Sequence, residues 1–96
     1  MKYRFSAAAQ REFDEAVAYY SSCTPGLGLD FANEILSILN VVCSFPDLWA
    51  YLEKPVRRAL VHRFPFGVLY VVEPDDVVLV LAVMHLHRKP SYWKEQ

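Results

Sequence analysis

The second half of the chain contains three apolar, strand-like runs that are separated by only two short turns. Pro65 fits the first turn, and Pro74-Asp75 fits the second, with proline at the second turn position. Turns this short join antiparallel neighbours, because a parallel connection needs a crossover of a dozen or more residues. The last run, Val77 to Met84, shows no alternation of apolar and polar residues. We therefore expect a mostly antiparallel sheet in which this run is a central strand, covered on both faces.

The first half predicts one short strand followed by two helices. Tyr3 and Phe5 alternate with two basic residues at the period of a strand. Ser6 is a plausible N-cap for a helix that extends to about Ser22. The polar faces of that helix carry Gln10, Glu12, Asp14 and Glu15.

A turn at Thr24-Pro25-Gly26 separates this helix from a second one, which we expect from about Leu29 to Ser44. Phe45-Pro46-Asp47 ends the second helix, and we expect a loop from Leu48 to Pro55. The predicted order is therefore β-α-α-β-β-β, an α+β fold in which a helix hairpin covers one face of a four-stranded sheet. The first strand is placed beside the last only by inference.

Length and composition predict one domain, residues 1–96, with an unusually apolar surface or core. The hydrophobic fraction is 54%, above the usual value of about 45–50%. The excess fits either a rich core or apolar surface that a partner covers. No apolar run is long enough for a signal peptide or a membrane span, so we expect a soluble, cytoplasmic protein without membrane contact.

Cys23 and Cys43 lie far apart in the predicted helical half, without a C-x-x-C spacing. This pattern favours two free, partly buried thiols in a reducing compartment. A disulfide between them is the alternative.

Charge is distributed unevenly along the chain. Residues 1–53 contain three basic and seven acidic residues, whereas residues 54–96 contain seven basic and four acidic residues, although the overall net charge is only −1. The asymmetry predicts a basic binding face in the second half. The alternative is that the helices happen to carry acids and the strands arginines.

Five residues are candidates for contacts with a target or a protein partner. Arg57 and Arg58 are adjacent on a strand, so they must point to opposite faces. For each of the two arginines, the alternatives are contact with a partner and an ordinary solvated charge at the sheet edge. Arg63 and Arg88 lie at strand ends, and we expect the guanidinium groups to converge on one border of the sheet. For Trp93 and its neighbour Tyr92 there are three alternatives. The two rings pack back on the sheet, stack on a base, or anchor a partner peptide.

The histidines could bind a metal only as a group of three. His85 and His87 share one face of the predicted strand, but zinc needs a third ligand, for which His62 is the remaining histidine. We expect ordinary hydrogen-bonding histidines, with no metal and no cofactor. His87 is also a candidate general acid or base.

The chain resembles the RelE/ParE superfamily of toxins from bacterial type II toxin–antitoxin pairs, over nearly its whole length. The resemblance rests on the order of elements, on Val56-Arg57-Arg58, on the hairpin from Arg63 to Tyr70, and on the ending from Val83 to Pro90 followed by Tyr92-Trp93. It implies a toxin that stabilises plasmids or inhibits growth, held in check by a separate antitoxin protein. A homodimer or a toxin–antitoxin hetero-oligomer is the expected assembly.

Members of this superfamily act in two ways, and a shared fold does not decide between them. ParE-like members bind DNA gyrase without catalysis, whereas RelE-like members cleave messenger RNA on the ribosome. The resemblance to RelE-like enzymes implies one arginine in the strand after the hairpin, a second after the last strand and a tyrosine in the tail. Arg88 fits the second arginine, Tyr92 fits the tyrosine loosely, and Gly67 stands where the first arginine is expected.

The resemblance therefore favours the ParE-like, gyrase-binding side. The first alternative is a RelE-like ribonuclease with Arg88, Tyr92 and His87 as catalytic residues. The second is a member that binds its antitoxin but has lost toxicity.

Overall fold

The computed structural model describes residues 1–87, which form two helices packed on one face of a five-stranded sheet. The helices are α1 (Ala7–Cys23) and α2 (Leu27–Ser44). The strands are β1 (Lys2–Phe5), β2 (Tyr51–Glu53), β3 (Val56–Leu60), β4 (Phe66–Val72) and β5 (Val77–His85). The predicted α+β class and the helix hairpin on one face are confirmed.

The sheet has the strand order β1-β5-β4-β3-β2. Strand β5 pairs antiparallel with β4 and parallel with β1, and the remaining pairs are antiparallel. The structure thus confirms that the first strand lies beside the last. The prediction of four strands was wrong, because β2 lies inside the segment that we expected to be a loop. Three residues are too few to display a period of two, so only pairing with β3 reveals this strand.

Ser6 joins three elements at the start of α1. Its hydroxyl oxygen accepts a hydrogen bond from the backbone N–H of Ala9 at 3.0 Å, as predicted for an N-cap. The same hydroxyl donates to the carbonyl of Leu81 at 3.3 Å, and the Ser6 N–H donates to the carbonyl of Val80 at 2.9 Å. The end of β1 and the start of α1 are therefore fixed against β5.

The helix hairpin depends on two glycines in and beside its turn. Gly26 has a φ of 84°, in the left-handed region that glycine adopts without strain. Helix α2 begins at Leu27, two residues earlier than predicted, so Gly28 lies in its first turn. A Cβ at Gly28 would collide with the carbonyl of Val17 and the side chain of Ser21. Its missing side chain lets the two helices approach closely.

The main core lies between the helices and one face of the sheet. Phe31, Ile35, Leu39 and Val42 of α2 are fully buried there, against sheet residues that include Val68, Tyr70, Val78 and Val80. By length and composition α2 could span a bilayer. The buried stripe accounts for part of its apolar character, whereas Leu29, Leu36 and Val41 are exposed.

A second, smaller cluster lies on the opposite face of the sheet, which we call the open face. It contains Val56, Leu69, Ala82 and Met84. Strand β5 therefore contributes buried residues to both faces, as predicted, although Leu79 and Leu81 on its first half stay partly exposed. Both cysteines are free thiols, and Cys23 is exposed.

Replacement of Ser6 by alanine removes the N-cap acceptor and the hydroxyl donor to Leu81. We expect Ser6→Ala to lower the free energy of unfolding by about 1–2 kcal/mol, measured by urea denaturation. Ser22→Ala is the matched control, because Ser22 is exposed and its hydroxyl reaches only the carbonyl of Tyr19 within the same helix. Equal losses in the two variants would contradict the role of Ser6.

Candidate functional site: the arginines and the α1–β5 cleft

Arg57 fastens the loop between α2 and β2 to the sheet. Its guanidinium donates to the carbonyl of Trp49 at 2.6 Å, pairs with Asp47 at 3.3 Å and lies over the ring of Tyr51 at 3.9 Å. The side chain is only 16% exposed. These internal contacts engage both terminal nitrogens and the face of the guanidinium, so the structure gives Arg57 a mainly architectural role.

Tyr70 holds the same loop from the buried side. Its hydroxyl donates to the carbonyl of Pro46 at 2.7 Å. Burial raises the pKa of Tyr70, and the nearby Arg57 opposes that rise by favouring the phenolate. The loop from Pro46 to Ala50 is therefore held at two points.

Arg58 lies on the open face, so the prediction that Arg57 and Arg58 point to opposite faces is confirmed. A Cβ at Gly67 would lie 3.1 Å from Cγ and 3.2 Å from Cδ of Arg58. The aliphatic part of Arg58 thus packs over the position at which RelE-like enzymes are expected to carry an arginine. Gly67 leaves the room that this side chain occupies.

A pocket of about 190 Å³ adjoins Arg58, with Trp49, Ala50, Tyr51, Leu52 and Leu60 as its other lining residues. The indole N–H of Trp49 is buried and has no acceptor among residues 1–87. The guanidinium of Arg58 is a charged hydrogen-bond donor, so the pocket suits an acceptor such as a carboxylate.

The structure does not bring Arg57 and Arg63 together on one border of the sheet. Arg63 pairs with Asp30 in the first turn of α2 at 3.6 Å, whereas Arg57 pairs with Asp47 beyond the other end of that helix. A helix of this length separates the two ion pairs by roughly 25 Å. The expected convergence was therefore wrong for Arg57 and Arg63, because each is captured by an acidic residue at a different end of α2.

Three of the predicted site residues, Arg88, Tyr92 and Trp93, lie outside the described residues. His87 follows the end of β5, and its backbone N–H donates to Nδ1 of His85 at 3.2 Å. The two imidazole rings are 5.0 Å apart. Residues 1–87 contain no group of three histidine, cysteine or carboxylate side chains that could hold a metal ion.

The open face of the three central strands is almost uncharged. Strand β4 presents Gly67, Leu69 and Val71 there, and the open-face residues of β5 are apolar. On β3, Arg58 lies between Val56 and Leu60. Arg58 is thus the only ionisable side chain that these three strands, all within the described part of the chain, place on this face.

A cleft of about 240 Å³ lies between α1 and the last residues of β5. We call it the α1–β5 cleft; its lining residues are Glu12, Glu15, Ala16, Tyr19, Phe66, Val83 and His85. A carboxylate oxygen of Glu12 accepts a hydrogen bond from the backbone N–H of Val83 at 3.0 Å. A hydrogen bond with Cys23 raises the pKa of Tyr19.

Sequence reasoning assigned the carboxylates of α1 to solvated faces and missed this cleft. The available signal was the spacing of Glu12, Glu15, Ala16 and Tyr19, which places all four on one side of a helix. The sequence could not show that β5 lies beside this side of α1, because pairing between β1 and β5 determines where α1 crosses the sheet.

Comparison with known proteins agrees with this architecture. Residues 3–90 match the family described as "ParE toxin of type II toxin-antitoxin system, parDE". The chain belongs to the ParE toxin family. A solved structure titled "Chromosomal ParDE TA system from P. aeruginosa" is similar in fold, with a TM-score of 0.77 and 16% sequence identity. The match covers 91% of this chain and 97% of that chain, and no curated protein matches significantly.

Arg57→Ala should destabilise the protein more than Arg58→Ala. Loss of the charged hydrogen bond to Trp49 should lower the free energy of unfolding by about 1.5–3 kcal/mol. The Arg58 guanidinium has no hydrogen bond among residues 1–87, so we expect less than about 1 kcal/mol for its removal. Urea denaturation of both variants measures the difference, and a reversed order would refute the architectural role of Arg57.

Tyr70→Phe should make the protein's stability less sensitive to alkaline pH. Because the pKa of Tyr70 is raised in the folded state, its contribution is fully present below pH about 10 and is lost as the pH rises through the folded pKa. The stability difference between wild type and Tyr70→Phe, about 1 kcal/mol at pH 7, should therefore narrow above pH about 10. A pH-independent difference in chemical denaturation would count against this explanation.

Proposed function

We propose that this ParE-family toxin acts by binding DNA gyrase, without catalysing a reaction. The single observation that carries the proposal is the almost uncharged open face, on which the three central strands place only Arg58 as an ionisable side chain. An apolar surface with one guanidinium is suited to a protein target, since aromatic, aliphatic and arginine contacts dominate protein interfaces.

Cleavage of RNA requires polar or charged groups that such a surface lacks. Attack by a 2′-hydroxyl requires a group that removes its proton, groups that stabilise charge on the phosphate, and a group that protonates the leaving oxygen. Gly67, Leu69 and Val71 provide none of these on β4. The ribonuclease alternative therefore depends on Arg88, Tyr92 and His87 at the end of the chain.

We also propose a separate antitoxin as the partner that keeps the toxin inactive, in a hetero-oligomer within the cytoplasm. The similar Pseudomonas structure is described as a toxin–antitoxin system, which supports a partner of this kind. Leu60, which is 43% exposed, and Leu86, which is 39% exposed, leave apolar surface near Arg58 that an antitoxin segment would cover.

Assays with purified toxin distinguish gyrase binding from RNA cleavage. We expect inhibition of supercoiling by gyrase at toxin concentrations that leave translated messages intact. Arg58→Glu should weaken this inhibition at least tenfold, because it places a negative charge in the interface. Arg63→Glu is the matched control, since Arg63 lies near the start of α2, away from the open face.

Intact supercoiling together with cleaved messages that depend on Arg88 would establish the ribonuclease alternative instead. Normal growth after induction of the wild-type chain would indicate a member that has lost toxicity. Circular dichroism and urea denaturation check that each variant is folded, so a loss of activity reports on the interface.

A further inference from the structure

The end of α2 presents apolar side chains to solvent on a stretch of chain that carries no charge. Residues 35–46 contain no aspartate, glutamate, lysine, arginine or histidine. Val41 is 38% exposed, and Phe45, which directly follows the helix, is 64% exposed. Because a surface helix usually carries polar and charged side chains on its outer face, this end of α2 is typical of a surface that another molecule covers.

Phe45 is held in place as a projecting side chain. Its backbone N–H donates to the carbonyl of Val41 at 2.8 Å, so the hydrogen bonding of α2 continues into this residue. The Leu48 N–H donates to the carbonyl of Phe45 at 3.1 Å and closes the turn that follows. Two hydrogen bonds therefore fix the backbone of Phe45 in advance, and little backbone entropy is lost when its ring is buried by a partner.

A small groove, which we call the α2 groove, lies beside the same helix. Its lining residues are Glu34, Ser37, Ile38, Val41 and His62. Ile38 and Val41 supply apolar walls, and His62, from the segment after β3, adds an aromatic ring. The volume of about 120 Å³ is well below the range of about 300–1,000 Å³ that is usual for small-molecule pockets. The α2 groove therefore suits a single apolar or aromatic side chain.

The chain's own Phe45 is too far away to fill this groove. Ile38 and Phe45 are seven residues apart, which separates them by roughly 10 Å along a rigid helix. The same spacing places Ile38, Val41 and Phe45 on one side of α2, because residues three and four apart lie on the same side of a helix. The projecting ring and the α2 groove thus lie next to each other on one surface, and only a second molecule brings them into contact.

A second copy of this chain supplies both parts at once. In an antiparallel pair of α2 helices, Phe45 of each copy lies opposite Ile38 of the other copy. Val41 then lies close to the two-fold axis, because it is near the midpoint between those two residues. A contact of this isologous kind fills both grooves with one symmetry operation, whereas a parallel pair would leave both empty. Charge does not oppose the contact, since residues 35–46 of both copies are uncharged.

We propose that two copies of this chain associate through α2, with Phe45 of each copy inserted into the α2 groove of the other. Only one helix end of each copy takes part, so the contact buries less than the about 1,200 Å² at which stable interfaces begin. We therefore expect a weak dimer with a Kd on the order of 10 µM. The open face lies on the other side of the sheet and stays free, so the inference does not depend on gyrase binding.

Sedimentation equilibrium of the purified toxin tests for the dimer. A reducing agent keeps the exposed thiol of Cys23 from linking two chains. Between roughly 1 and 300 µM protein, the apparent mass should rise from that of one chain towards that of two. A mass of one chain over the whole range would overturn the proposal.

Replacement of Phe45 by alanine removes the inserted ring. We expect Phe45→Ala to weaken association at least tenfold, because buried aromatic side chains dominate the energy of small interfaces. Tyr19→Ala is the matched control, since Tyr19 is an aromatic residue of α1 with nearly the same exposure, 63%. If the two variants lose association equally, self-association reflects general surface apolarity and the assigned contact is wrong.

Opposite charges at Val41 test the two-fold symmetry. Val41→Glu and Val41→Lys each place two like charges beside the axis, so each variant alone should associate at least tenfold more weakly than the wild type. An equimolar mixture should associate at least fivefold more tightly than either variant alone. Circular dichroism checks that both variants are folded. A mixture that associates no better than its components would contradict a two-fold contact at Val41.

The antitoxin is the competing occupant of the α2 groove. Its affinity is measured by titrating the protein encoded by the neighbouring reading frame into wild-type toxin and into Phe45→Ala. Equal affinities, together with a dimer of the free wild-type toxin, support a second copy as the occupant. If the free toxin is monomeric and Phe45→Ala binds that protein at least tenfold more weakly, the groove is an antitoxin site and the proposal fails.

Discussion

Pairing of β5 with both β1 and β4 is the interaction on which the rest of the structure depends. It brings the first strand of the chain beside the last, and it thereby determines where α1 starts and how that helix crosses the sheet. Ser6 and Glu12 both bond to β5 just where β1 stops pairing with it. The helix-covered core, the open face and the α1–β5 cleft all follow from this arrangement.

The sequence predicted only part of this arrangement. An apolar run without alternation identified β5 as central, and Ser6 marked the start of α1, because both signals are local. The neighbour of β5 had to be inferred, since β1 lies seventy residues away in sequence and periodicity carries no information on pairing. Strand β2 was missed because three residues display no period, although its partner β3 was predicted.

The candidate site was less predictable, because the role of an arginine depends on what surrounds it. Opposite faces for Arg57 and Arg58 followed from strand geometry alone. The capture of Arg57 by Trp49 and Asp47, and of Arg63 by Asp30, depends on loops whose paths the sequence does not specify. Similarly, Gly67 was identified as a departure from the RelE-like pattern, but only the structure places Arg58 over it.

Among residues 1–87, the cationic side chain at the open face lies apart from the carboxylates of the α1–β5 cleft. Arg58 adjoins a pocket at the open face, whereas Glu12 and Glu15 line the cleft between α1 and β5. A partner segment that lies beside Arg58 must present an acceptor there, and this requirement gives specificity that an apolar surface alone lacks. Any partner segment that covers Arg58 also excludes a second protein that needs the open face, because the two would compete for the same apolar surface.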